Sequence, residues 1–160
     1  MTPSLPIVAA VDGSDESNLA LGEAARIAKI SGASLVVLSV VPPPMTPMGG
    51  TVAPGDWYEE IVRDYQSVLD RAPSSLGMKD PPPLSTILFR GPVLDTILGY
   101  LQENPTRLIV VGARGRSALS RIWLGSVSEG LVHHAPCSIL VVRPPHSPPP
   151  ARSKTSSRAR

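Results

Sequence analysis

Residues 107–130 read RLIVVGARGRSALSRIWLGSVSEG, and the order of features within them decides the fold class. Residues 107–112 are an apolar, β-branched run that predicts a buried strand. Gly112 and Gly115 lie in the turn after it, Gly125-Ser126 comes after a nine-residue gap, and a short helix is predicted over 126–134, stopped near Pro136. A buried strand, a glycine-bearing loop and a helix form one β-loop-α unit, the repeat from which parallel sheets are built.

The same unit recurs toward the N-terminus. Residues 7–11 (IVAAV) form an apolar run that stops at Asp12-Gly13-Ser14. From Asp15 the spacing of Leu19, Ala20, Ala24, Ile27 and Ala28 is helical, with Gly32 placed to end the helix. Residues 33–41 (ASLVVLSVV) suit a strand covered on both faces. Residues 42–55, PPPMTPMGGTVAPG, have neither periodicity nor charge and are expected to form a loop, a candidate flap.

A second helix follows under an Asp56 cap, with Trp57, Ile61, Tyr65, Val68, Leu69 and Ala72 as its core stripe and Pro73 as its end. Residues 84–90 return to strand. Gly91-Pro92 then opens a third helix whose Val93, Leu94, Ile97, Leu98 and Leu101 face inward, and residues 138–143 supply the last strand. Strands alternating with helices predict a doubly wound α/β fold: a five-stranded parallel sheet of order 3-2-1-4-5 with helices on both faces.

At 160 residues the chain is long enough for one domain with a real core and short for two. Residues 1–143 are expected to form that domain, and 144–160 a disordered Pro/Ser/Arg-rich tail. The tail carries Arg152, Lys154, Arg158 and Arg160; without these four charges the net +2 becomes a body near −2. The folded part therefore makes no electrostatic case for nucleic acid. A single cysteine, Cys137, excludes an intramolecular disulfide and fits a reducing compartment. No run approaches membrane-spanning length, and the N-terminus lacks the charge and apolar pattern of a signal peptide. A soluble cytoplasmic protein with no membrane partner is expected.

In doubly wound sheets ligands sit beyond the carboxyl ends of strands, where the strand order reverses. With the order 3-2-1-4-5, the turn at Asp12 and the loop at Gly112–Gly115 share that crevice. The two glycines can take positive φ and let a ligand approach bare backbone N–H groups. Gly125 repeats this ahead of a helix whose first turn carries Ser126, Ser128 and unsatisfied amides, a phosphate cradle. Asp12 is placed to accept from a ribose hydroxyl or base amine, or to meet a metal carried by phosphate.

This pattern resembles the universal stress proteins, whose nucleotide-binding members show G-x-x-G-x9-G-[ST]. Gly112, Gly115, Gly125 and Ser126 match every fixed position, and the likeness runs from about Leu5 to Arg143, through Asp12-Gly13-Ser14, Gly91-Pro92 and HAPCSILVVR. The resemblance implies a Rossmann-like, ATP-binding, dimer-forming protein, with Mg2+ or Mn2+ accompanying the phosphates. Carried over by position, Val11, Asp12 and Val40 would line the adenosine pocket, while Gly112, Ala113, Gly115, Gly125, Ser126, Val127 and Ser128 would hold ribose and phosphates.

Other residues have plainer expectations. Ser14 is expected to cap the first helix, Arg114 and Arg116 to be solvated, His133 and His134 to end a helix, and Cys137 to be buried and inert. The run Ser126-Val127-Ser128-Glu129-Gly130 lacks the first glycine of a nucleophile elbow, and no P-loop occurs. Binding without efficient turnover is expected: a nucleotide-dependent switch in stress response, with slow ATP hydrolysis at most. The alternative is a nucleotide-free dimeric adaptor. Both would form a homodimer through strand 138–143, an edge that self-pairing would cover, and both leave room for a further protein partner.

Overall fold

The computed structural model describes residues 4–44, 55–116 and 124–145. The elements run β1 (Ile7–Ala10), α1 (Asp15–Ser31), β2 (Leu35–Val41), α2 (Asp56–Ser75), β3 (Leu84–Arg90), α3 (Val93–Glu103), β4 (Leu108–Gly112), α4 (Ser126–His134) and β5 (Ser138–Val142). All pairings are parallel, and the sheet order is β3-β2-β1-β4-β5, as the alternating sequence pattern predicts. β1 is central, with Ile7 opposite Leu35 on one side and Leu108 on the other.

Alternation along the strands divides the core into two layers. Ile7, Ala9, Leu35, Val37 and Val110 pack against α1 and α2. Val8, Val36, Leu38, Ile109 and Val111 pack against α3 and α4 through Ile97, Leu101 and Leu131. α1 approaches the sheet closely because its inner face is mostly alanine: Ala20, Ala24, Ala25 and Ala28 are all fully buried. Ser14 caps it as expected, accepting from the Ser17 amide, and Gly32 closes it in the left-handed conformation. Leu19, read at helical spacing on or near the apolar face, is exposed.

α2 departs from its sequence reading in three ways. Gly55, not Asp56, occupies the cap position, and no side chain caps the helix. The buried stripe is set by Tyr58, Val62, Tyr65, Val68, Leu69 and Ala72, so Tyr58 is 4% exposed while Trp57 is 48% exposed. Trp57 lies one position, about 100° of helical turn, off the stripe. Pro73 does not end the helix, which runs on to Ser75. A proline this close to the C-terminus removes a single amide from the ladder, and the Ser74 and Ser75 hydroxyls donate to the terminal carbonyls of Arg71 and Ala72. Pro92 likewise stands at the cap of α3, one position before the first helical turn.

Candidate functional site

The site begins where β1 leaves the sheet. The Val11 amide donates to Leu38 O at 2.9 Å, and the buried Ser39 hydroxyl donates to Val11 O at 2.6 Å. The chain is thus held to β2 one residue before Asp12. Asp12 Oδ1 then accepts from the Ser14 amide at 3.0 Å and the Ser14 hydroxyl at 2.6 Å, while Oδ2 accepts from the Arg116 amide at 2.9 Å. Burial pushes the Asp12 carboxyl upward, but the bonds from Ser14, Arg116 and Ser17 outweigh it and hold the group below its ordinary value of 3.8.

Beyond β4 most of the described amides are tied down. Ala113 N donates to Val142 O at 2.8 Å, Arg114 N to Glu16 Oε2 at 2.8 Å, and Gly125 N to Ala113 O at 2.7 Å. Arg114 Nε and Nη2 both reach Glu16 Oε1 at 2.6 Å, and the Glu16 side chain is only 10% exposed. Arg116 bonds Asp64 of α2 and lies over the Tyr65 ring, 4.6 Å from its centroid. Both arginines, expected in solvent, are therefore paired. Their partners stand 98 and 52 residues away in the chain, beyond the reach of any local sequence signal.

The glycines of this loop serve close approach rather than unusual torsions. Among the described residues only Gly13, Gly32, Gly77 and Gly91 have positive φ, so Gly112 and Gly115 do not use the torsional freedom open to them. A Cβ on Gly112 would stand 2.8 Å from the Glu16 carbonyl carbon, and one on Gly115 would stand 2.6 Å from Asp12 Oδ2. The first lets α1 rest against β4; the second lets the loop close over Asp12.

The first turn of α4 is different. Gly125 precedes it with extended torsions and no side-chain cap. The amides of Ser126, Val127 and Ser128 meet no acceptor among the described residues, as expected for a first helical turn. Ser126 is exposed, whereas the buried Ser128 hydroxyl donates to Gly112 O at 2.7 Å and locks the turn to the end of β4.

These parts line one crevice of about 740 Å³. Its apolar floor comes from Ala10, Val11, Leu38, Val40 and Val111, and its α3 wall from Val93, Leu94 and Ile97. Asp12, Gly112, Gly115, Gly125, Ser126, Val127 and Ser128 border it as well. Every sequence-chosen site residue therefore lies on the crevice except Ala113, which is buried beneath it and carries the Gly125 amide. Sequence reasoning missed Tyr65, Pro42 and Asp95 among the lining residues, as well as Glu16. Of these only Tyr65, on a helical apolar stripe, carried a sequence signal. Volume and lining are those of a small-molecule site, apolar with a few convergent polar groups.

The model of the universal stress protein family matches residues 5–143. The chain belongs to this family. A universal stress protein of Methanocaldococcus jannaschii is 30% identical over 141 residues, covering 87% of this chain and 82% of the relative. The solved universal stress protein of Lactobacillus plantarum superposes with a TM-score of 0.78 at 27% identity, covering 89% of this chain and all of that one. A universal stress protein of Archaeoglobus fulgidus, solved in complex with dAMP, superposes with a TM-score of 0.65 at 25% identity over 88% of this chain and 98% of its own. Among the described residues of this universal stress protein, no helix is long and apolar enough to cross a membrane, and no group of three His, Cys, Asp or Glu side chains could hold a metal ion.

Proposed function

We propose that the crevice binds an adenine nucleotide and that the protein is a nucleotide-dependent switch in stress response, cytoplasmic and homodimeric. The observation that carries this reading is the open first turn of α4, its amides and dipole facing an apolar cleft at the point where the strand order reverses. The dAMP bound by the Archaeoglobus fulgidus relative supports adenine as the base. Val11 and Val40 would flank the adenosine, Asp12 would accept from the ribose, and Ser126, Val127 and Ser128 would donate amides to phosphate. Gly112, Gly115, Gly125 and Ala113 would hold those groups in place. ATP would enter with Mg2+ or Mn2+ on its phosphates, the metal carried by the ligand and not by a protein cluster.

Turnover is slow at most. Asp12 is a carboxylate of the crevice lining, and three donors with a lowered pKa make it a weak base. The exposed edge of β5 is the surface through which two copies would pair, Ile139 to Val142 being only half-buried within one chain.

The experiment is a titration of ATP and AMP into wild type and Ser126→Asp. An aspartate at the first helical position favours the helix dipole, so the variant should melt no lower than wild type, while its charge opposes phosphate and weakens binding at least tenfold. Unchanged affinity would remove the α4 assignment. The nucleotide-free adaptor is the second reading, favoured by the internal pairing of the Ala113, Arg114 and Arg116 amides. Nucleotide released from the purified, heat-denatured protein decides between the two.

A further inference from the structure

At the α4 end of the crevice both described arginines after β4 are matched to an acid: Arg114 to Glu16 and Arg116 to Asp64. Asp12 and Asp95 also line the crevice, and neither has a basic side chain as partner among the described residues. The described lining therefore presents carboxylates in excess of free cations. The α4 dipole offers about half a positive charge, enough to favour one phosphate group and too little to offset a chain of three. Each added phosphate must leave water for a lining whose described cations are already paired.

Arg114 is the group able to reverse that balance. It borders the crevice and its side chain is 34% exposed, but two guanidinium nitrogens and its own amide are turned to Glu16, which the first turn of α1 holds in a nearly buried position. The contact does two separable things. Its bond to the Arg114 amide anchors the loop, which any side-chain carbonyl at residue 16 could do. Its charge holds the guanidinium against α1, which only a carboxylate does.

We propose that Glu16 is a specificity-determining residue: by holding the Arg114 guanidinium against α1, it makes the crevice discriminate against a nucleoside triphosphate relative to a monophosphate when no divalent cation accompanies the phosphates. The inference rests on the nucleotide reading above and specifies the phosphate chain that site accepts. Divalent cations relieve the discrimination by neutralising part of the chain's charge within the carboxylate-bearing crevice.

The test is equilibrium binding of AMP and ATP, in EDTA, to wild type, Glu16→Gln and the double variant Glu16→Gln/Arg114→Gln. Wild type should bind AMP more tightly than ATP. Glu16→Gln keeps an acceptor for the Arg114 amide but frees the guanidinium, and should raise the affinity ratio of ATP to AMP about tenfold. The double variant is neutral overall and should return that ratio to within twofold of wild type. A contact of purely structural importance would change the melting temperature and leave the ratio alone. A wild type that prefers ATP in EDTA, or a Glu16→Gln ratio within twofold of wild type, overturns the assignment. So does a double variant whose ratio falls tenfold below wild type, since Arg114 would then already serve phosphate; this arm stands even where the single variant fails to fold. Binding of neither nucleotide by wild type overturns the nucleotide reading itself, an outcome distinct from binding with an unaltered ratio.

Discussion

In the loop after β4, the amides of Ala113, Arg114 and Arg116 end on protein acceptors, two of them carboxylates, whereas the first-turn amides of α4 meet no acceptor among the described residues. Both segments belong to one spaced glycine pattern. The glycines of the first make room for a helix backbone and for an aspartate; the glycine of the second leads into a turn that keeps its donors available. A single motif therefore holds a packing half and a half with open donors, and substitutions should separate them.

The largest effect is expected in the packing half. Gly112→Val places a branched side chain where even a Cβ stands 2.8 Å from the α1 backbone, and should cost about 3 kcal/mol in denaturant unfolding. Loss of less than about 1 kcal/mol would show that α1 can move away and that the close approach is not required. Gly115→Val comes next: its Cβ meets the end of a side chain, Asp12 Oδ2, so the cost should be smaller, about 1–2 kcal/mol, and should shrink in an Asp12→Ala background.

The Asp12 carboxylate sharpens the contrast through pH. Its folded pKa is lowered, so its contribution is fully present above the unfolded value of 3.8 and is lost as pH falls through the lower folded value. Asp12→Asn should be less stable than wild type at neutral pH, and the two stability curves should converge at the acid end. Parallel curves down to pH 2 would remove the carboxylate from the loop's anchorage. The smallest effect is expected at Asp64→Asn. Its pair with Arg116 is half in solvent, so stability should fall by at most about 1 kcal/mol and less in high salt.

The sheet was legible because β1, β2 and β4 are buried on both faces and read as unbroken apolar runs. The helix at 126–134 was legible to the residue, with glycine before it and proline after. The phase of α2 was not: Trp57 and Tyr58 are adjacent aromatics, and only the position of the sheet decides which turns inward. At the site, local signals identified Asp12 and the spaced glycines, while Glu16, Asp64 and Tyr65 reach it through tertiary contacts that no window of sequence contains. The same limit explains why the glycines were assigned torsional freedom. Spacing reveals that a side chain is missing, and packing alone reveals what fills its place. The candidate flap within 42–55 lies mostly, and residues 117–123 wholly, outside the described residues.

The anchors of the β4 loop have a consequence for the newly made chain. Glu16 and Asp12 wait 98 and 104 residues for Arg114 and Arg116, and the central strand cannot gain its second neighbour until β4 has been synthesised. Long closures of this kind form late, because their entropy is lost before any contact rewards it. The pocket is thus among the last parts of the molecule to exist, and occupancy by a small ligand would select finished copies over nascent ones.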